Sequence, residues 1–282
     1  MKNISIKFKN GEQMSKEYYD CIFVLLVYAN TDDIKEYIKS LEQYEFSRKL
    51  IIVNSYYDDA SMEDARTVAN TYSCDFINVE NKGYSAGNNR GIEYAREHYD
   101  YEYLIVSNTD MLVEKFDYDY LKSLGKGVIG PKIITNTGKN QNPFYVDKKR
   151  FPRAEYRFMK NRNRLGYYSI IGLNKIVKWL FFTKCFILRQ HEAKIYAVHG
   201  SFIIFHKSAI DKLGTVFDEN MFLFCEEMAL AEEMRIKNIP VTYTNRLVIH
   251  HKEDGSMGFL NGSMYEEEVK SNGYVVEKYY SK

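Results

Sequence analysis

Asn81-Lys82-Gly83-Tyr84-Ser85-Ala86-Gly87-Asn88-Asn89-Arg90-Gly91 is the stretch that decides how this chain folds. An apolar run around Phe76-Ile77 precedes it and Ile92-Glu93-Tyr94-Ala95-Arg96 follows it, so it reads as strand, glycine-punctuated turn, then helix. Gly83 suits a turn that needs positive φ. Gly87 and Gly91, at four-residue spacing and without Cβ, let a helix backbone lie close to a ligand or to another element. A helix opening here aims free N–H groups at whatever lies before it. Glycines at this spacing are equally a packing device, so the neighbouring segments must decide between the two.

Upstream, Cys21-Ile22-Phe23-Val24-Leu25-Leu26-Val27-Tyr28 is a continuous, β-branched-rich apolar run that ends at Ala29-Asn30-Thr31-Asp32. Such a run predicts a strand buried on both faces, the habit of parallel sheets. Thr31 or Asp32 can cap a helix carrying Ile34, Ile38 and Leu41. Leu50-Ile51-Ile52-Val53 is a second buried strand, Phe76 to Val79 a third, and Tyr103-Leu104-Ile105-Val106-Ser107 a fourth, ending at Asn108-Thr109-Asp110. Strands alternating with helices predict an α/β fold with a mostly parallel central sheet flanked by helices, and ligands bind beyond the carboxyl ends of such strands. Ile4, Ile6 and Phe8 before Asn10-Gly11 predict an edge strand and turn. Farther on, Lys207 to Leu213 predicts a short helix stopped by Gly214, Glu226 to Arg235 another, and Val241 to Thr244 and Leu247 to Ile249 strand.

The chain has 282 residues, 45% hydrophobic and 27% charged, enough for one packed domain over 1–282 with no linker or repeat. Cys21, Cys74, Cys185 and Cys225 are scattered, which disfavours structural zinc and a disulfide framework and predicts reduced thiols in a cytoplasmic protein. Residues 1–19 lack the apolar core of a signal peptide, and no run of eighteen apolar residues predicts a membrane span. A net charge of +1 argues against nucleic acid as a partner. That near-neutrality hides an asymmetry. Residues 148–194 hold 13 Lys/Arg and two acids, a net +11, so the remainder carries −10. Within it, Ile170 to Arg189 predicts a basic amphipathic helix with Asn174, Lys175, Lys178 and Arg189 on one side. It fits a helix lying on an anionic membrane surface, a surface helix over a core, or a contact with a partner such as a second copy. The tail 261–282 is short, charged and tyrosine-rich.

Three groups can carry chemistry. Asp110 closes a buried strand, where a carboxylate can hold Mg2+ or Mn2+ against a diphosphate or simply cap a turn. Glu226-Glu227 open a helix, where the dipole favours acids and where one could act as general base. His250-His251 end a strand, where a histidine can ligate a metal or merely hydrogen-bond.

Together, residues 21–256 resemble bacterial family 2 glycosyltransferases of GT-A fold, in their rhamnosyltransferase-like branch. The resemblance rests on the Asn81–Gly91 string, on Asn108-Thr109-Asp110, on His199-Gly200-Ser201, on Phe217-Asp218-Glu219 with Phe222-Leu223-Phe224-Cys225-Glu226-Glu227, and on His251 to Ser256. It implies an inverting, metal-dependent enzyme. A nucleoside diphosphate sugar, UDP or dTDP favoured, would meet Tyr28, Asn30, Asn54, Asn81, Gly83, Gly87, Asn88, Asn108, Gly200 and Ser201. It implies Asp110 and His251, with His250 nearly as well placed, as metal ligands, and Glu227, or its neighbour Glu226, as the catalytic base. The implied acceptor is a saccharide or a lipid-linked sugar, in surface polysaccharide or glycolipid assembly at the inner face of the cell membrane. Three positions depart from the family's pattern. Asn54 stands where an Asp usually reads the base, Glu227 where the base is usually Asp, and Ala229 where a second Asp is usual. Asn54 and Ala229 leave room for a second reading, a sugar-nucleotide-binding partner subunit without turnover. A nucleotidyltransferase would want a Gly-rich phosphate loop after the first strand, and Tyr28-Ala29-Asn30-Thr31 is not one.

Overall fold

The computed structural model describes residues 16–148, 150–253 and 264–281. The edge strand expected at Ile4 to Phe8, and Ser256 at the end of the histidine motif, lie outside them. From the amino end, β1 (Glu17–Val27), α1 (Asp32–Leu41), β2 (Arg48–Ser55), α2 (Asp59–Thr71), β3 (Asp75–Val79), α3 (Tyr84–His98) and β4 (Tyr99–Asn108) alternate as the apolar runs predict. There follow β5 (Met111–Lys115), α4 (Tyr118–Ser123), β6 (Val128–Thr135), α5 (Pro152–Lys160), α6 (Arg164–Ile187), β7 (Glu192–Lys194), β8 (Phe202–His206), α7 (Lys207–Leu213), α8 (Glu226–Ile236), β9 (Val241–His251) and α9 (Met264–Tyr280).

One nine-stranded sheet runs in the order β3-β2-β1-β4-β8-β6-β9-β5, with β7 paired on β9. Its first four strands are parallel. Past β4 the sheet is mixed: β8 is antiparallel to β4 and β6, β6 and β9 are parallel, and β5 is antiparallel to β9. The physical reason is connectivity. Strand–helix alternation enforces parallel pairing only as far as β4, which turns directly into β5 through Thr109-Asp110.

The continuous apolar runs are explained by cover on both faces of the sheet. Ile22, Val24, Ile51, Val53, Leu104 and Val106 pack with Ile92 of α3 and Leu230 of α8. Phe23, Leu25, Ile52 and Ile105 pack on the other face with Ile34 and Leu41 of α1 and Val68 of α2. Each such fully buried side chain contributes about 1.5–3 kcal/mol. The glycine spacing serves this packing: a Cβ at Gly91 would lie 2.3 Å from Val24 Cγ1, and one at Gly87 2.5 Å from Leu26 Cδ1. Of the two uses open to those glycines, close approach to another element is the one observed.

The tail is more than the charged end its sequence suggests. α9 is a helix of 17 residues that buries Ser271, Asn272, Val275 and Val276. Val275 packs there with Met221, Met228 and Ala229.

Candidate functional site

The carboxyl ends of β1, β2 and β4 open into a cavity of about 1190 Å3. Leu26, Tyr28, Ser55, Asn108, Thr109 and Asp110 line it from the sheet, Asn81, Gly83 and Tyr84 from the glycine turn, and His199, Gly200 and Ser201 from the turn before β8. Phe222 to Met228 close a further side, and α6 and α9 complete the wall with Asn174, Lys175, Lys178, Glu268 and Asn272.

The glycine turn holds the loop ahead of α8. Gly83 has φ +95°, and a Cβ there would sit 2.0 Å from the Phe222 carbonyl oxygen, so this position requires glycine. The Tyr84 N–H donates to that same carbonyl at 3.0 Å. One turn on, the Asn89 amide spans the other end of the loop. Its oxygen accepts the Phe217 N–H at 3.0 Å, and its nitrogen donates to the Phe217 carbonyl and to Glu219 Oε1, both at 2.8 Å. Arg90 also bonds Glu219 Oε1, at 2.5 Å. From α9, Ser271 Oγ donates to the Leu223 carbonyl at 2.7 Å. These anchors hold Phe224 and Cys225 in left-handed backbone, φ 71° and 66°, immediately before α8. Left-handed residues other than glycine cost roughly 1 kcal/mol or more each, and such strain gathers at functional sites.

That loop delivers two carboxylates. Glu227 Oε1 accepts the Gly200 N–H at 3.2 Å, while Tyr84 Oη donates to the Gly200 carbonyl at 2.7 Å. A Cβ at Gly200 would lie 3.0 Å from Glu227 Oε1, so the bare backbone is what admits the carboxylate. Glu226 is buried. Burial, then the charge of Glu227 beside it, raises its carboxyl to about 8. Two adjacent acids resist carrying two charges, and burial makes Glu226 the one driven toward its neutral form, while Glu227 is only half-buried and bonded to the Gly200 N–H.

Asp110 and His251 face one another across the floor. Both are buried, with His251 Nε2 3.2 Å from Asp110 Oδ2. Gln141 orients the ring: its amide nitrogen donates to Glu253 at 3.2 Å, which turns its oxygen toward His251 Nδ1 at 2.7 Å. Nδ1 is thereby the proton donor to Gln141, while Nε2 lies at hydrogen-bond distance from the Asp110 carboxylate. A buried imidazole nitrogen and a carboxylate side by side can exchange the proton between them for a shared cation. Among the described residues no group of three His, Cys, Asp or Glu side chains is gathered that could hold a metal by itself. The pair therefore fits a metal only with further oxygen ligands from a diphosphate or water, and its nitrogen favours Mn2+ over Mg2+. His250 is on the opposite face of β9, with Nε2 2.8 Å from Asn136 Oδ1, and does not line the cavity.

Cations face these acids. Lys178 Nζ donates to the Gln141 carbonyl at 3.2 Å, and burial, then the charge of Lys139, lowers its ammonium to about 8. The helical wheel placed Asn174, Lys175, Lys178 and Arg189 on one side. The structure divides them: Asn174, Lys175 and Lys178 line the cavity, and Arg189 follows the end of α6. His199 Nδ1 lies 2.9 Å from Ser201 Oγ, and burial, then the nearby His251, lowers its imidazole to about 3, so the ring is neutral.

Of the residues singled out from sequence, Tyr28, Asn81, Gly83, Asn108, Asp110, Gly200, Ser201, Glu226, Glu227 and His251 meet in this one cavity. Asn30, Asn54, Gly87, Asn88 and His250 stand outside its lining. Asn30 Oδ1 accepts the Asp32 N–H at 3.0 Å, a local turn just ahead of α1. Asn54 is buried and donates to Asn78 Oδ1 at 2.7 Å. Asn88 donates to the Tyr84 carbonyl at 3.0 Å. Ala229 is a core residue beneath α9. The reading missed Lys139, Lys178, Glu268 and Asn272. For the last two the available signal was the charge order of α9, with Glu266 and Glu267 in the first turn and Lys278 in the last, a pattern that favours a helix.

No family model matches the chain. It is 22% identical over 228 residues to the low-salt glycan biosynthesis hexosyltransferase Agl10 of Haloferax volcanii, covering 79% of this chain and 64% of that protein. The crystal structure of GalNAc-T7 with UDP, GalNAc and Mn2+ superposes with a TM-score of 0.60 at 9% identity, over 94% of this chain and 48% of that one. S. aureus TarS superposes with a TM-score of 0.54 at 10% identity, over 83% of this chain and 36% of that one. The chain thus spans less than two thirds of each of these proteins. Its fold is GT-A, a central sheet flanked by helices as in these glycosyltransferases.

Proposed function

We propose that this chain transfers a sugar from a nucleoside diphosphate sugar to a hydroxyl acceptor with inversion at the anomeric carbon. One observation carries the reading. A single cavity at the carboxyl ends of the strands sets Asp110, His251 and Lys178 near a carboxylate, Glu227, that is fixed by the Gly200 N–H. The first group suits a diphosphate and the second suits a hydroxyl to be deprotonated.

In this mechanism Glu227 accepts the proton of the acceptor hydroxyl as that oxygen bonds the anomeric carbon. The bond from that carbon to the diphosphate oxygen breaks on the opposite side, and the nucleoside diphosphate leaves. Lys178, with Lys139 and Lys175 near it, meets the charge that gathers on the leaving group. Asp110 and His251 would hold Mn2+ or Mg2+, which when bound supplies further neutralisation of that charge. The raised carboxyl of buried Glu226, beside the half-buried Glu227 that bonds the Gly200 N–H, supports Glu227 as the base.

The structural relative crystallised with UDP and Mn2+ supports UDP as the nucleotide to try first, and dTDP rests on the motif resemblance alone. The hexosyltransferase relative named for glycan biosynthesis supports a saccharide or lipid-linked acceptor. Membership of the family 2 glycosyltransferases, in the rhamnosyltransferase-like branch, and a cytoplasmic role in surface polysaccharide or glycolipid assembly rest on the motif resemblance. The test is a panel of UDP-, dTDP- and GDP-sugars with Mn2+, read by thermal shift and by release of nucleoside diphosphate. Stabilisation and turnover with a UDP- or dTDP-sugar is the expected result. A protein that binds none of them overturns the reading.

A further inference from the structure

α6 is 24 residues long, roughly 36 Å, and its two sides have different environments. Tyr167, Ile171, Asn174, Lys178 and Phe182, at three- and four-residue spacing, line the cavity. The opposite side carries Leu165, Tyr168, Ile176, Trp179, Leu180 and Ile187, with Phe186 one heptad beyond Trp179, and all seven are exposed. Trp179 is 65% and Phe186 84% accessible. A soluble surface gives no reason for so long an apolar ridge with an aromatic at its centre.

Its charge surroundings indicate what covers it. The segment 148–194 carries +11, and among the described residues the exposed Lys184 and Arg189 beside the ridge have no carboxylate partner. Apolar residues flanked by unpaired cations complement an anionic bilayer: the ridge enters the acyl boundary while the cations meet headgroup phosphates. A second copy docking through the same face would set this positive segment against itself. The helix does not cross the bilayer, since among the described residues no helix is long and apolar enough to do so.

We propose that the outward side of α6 docks the protein on an anionic membrane surface. Docking there leaves the inner side of the same helix as the cavity wall, so the cavity lies one helix diameter, about 10–12 Å, from the headgroups. An acceptor carried on a lipid can reach it from there.

The test is co-sedimentation with vesicles of phosphatidylcholine alone and with added phosphatidylglycerol, without any sugar donor. The unmodified protein should sediment with the anionic vesicles, far less with the neutral ones, and less as salt rises. Lys184→Glu with Arg189→Glu, and separately Trp179→Ser with Phe186→Ser, should each lower partitioning about tenfold or more. None of these four residues lines the cavity, so donor turnover should be unchanged. Equal partitioning to both vesicle types, or variants that bind as the unmodified protein does, overturns the proposal. So does a dimer without vesicle binding that Trp179→Ser with Phe186→Ser dissociates, which assigns the ridge to a second copy. Because the assay uses no donor, its failure leaves the transfer reading standing, and failure of the donor panel leaves this one.

Discussion

Asn89→Asp separates a structural role for the glycine-rich string from a ligand-binding one. Asn89 is buried on α3 and makes three hydrogen bonds to the loop that carries the two glutamates. Aspartate keeps the shape and the bond accepted from the Phe217 N–H. It turns the two donated bonds, each 2.8 Å, into contacts between oxygens. Losing a buried hydrogen bond and orphaning its partner costs about 1–3 kcal/mol. Two such losses sum to about 2–6 kcal/mol, and Arg90, already on Glu219, holds the cost to about 4 kcal/mol. For a chain near this size that is a fall in Tm of roughly 10 °C. Urea unfolding should show a lower midpoint at unchanged m-value. UDP affinity, measured where both proteins are folded, should hold. A midpoint within about 0.5 kcal/mol of the original refutes the clamp, as that is the range of an inert surface change. Unchanged stability with tenfold weaker UDP binding would instead make Asn89 a ligand.

Two further outcomes follow from the cavity floor and wall. Lys178 is a cation below about 8 and neutral above it, so UDP affinity should fall as pH rises from 7 to 9. Lys178→Arg, charged throughout, should remove that part of the decline, leaving whatever ionisation of Glu226 adds, and Lys178→Met should weaken UDP binding roughly tenfold or more at pH 7. Titration calorimetry across pH measures both, and an alkaline limb that Lys178→Arg leaves intact would release Lys178 from this role. Asp110→Ala and His251→Ala should each remove the gain in UDP affinity that Mn2+ gives over EDTA. Equal UDP affinity of the unmodified protein in Mn2+ and in EDTA would sink the metal assignment.

Much of the fold was legible because its signals are local. The runs at Cys21–Tyr28 and Leu50–Val53 are apolar on both faces, and only a strand covered on both sides tolerates that. The change to a mixed sheet after β4 was not legible, since β8 pairs with β4 across about a hundred residues of chain and neither strand encodes its partner's direction. At the site, the sequence supplied residues that end strands or open helices. It set Gly83 apart as a positive-φ turn, but could not say whether the close approach at Gly87 is to a ligand or to another element, which turns out to be Leu26. It could not tell His251 from His250 either, because one residue of register on β9 decides which faces Asp110. The place of Lys178 in the cavity was not legible because a helical wheel gives relative angles and says nothing of which side meets the protein. α6 carries apolar residues on both sides, Ile171 and Phe182 inward with Lys178, and Trp179 and Phe186 outward.

The most direct test of the account is the single-turnover consumption of a nucleoside diphosphate sugar, with an acceptor, by the unmodified protein and by Glu227→Gln. The substitution keeps size and removes basicity while Gly200 keeps a side-chain oxygen to bond. Donor binding should persist and the rate of transfer should fall by roughly two orders of magnitude or more. Glu226→Gln, which replaces a carboxyl that burial drives toward its neutral form, should lower the rate far less. Transfer by Glu227→Gln at the unmodified rate would contradict the account at its centre.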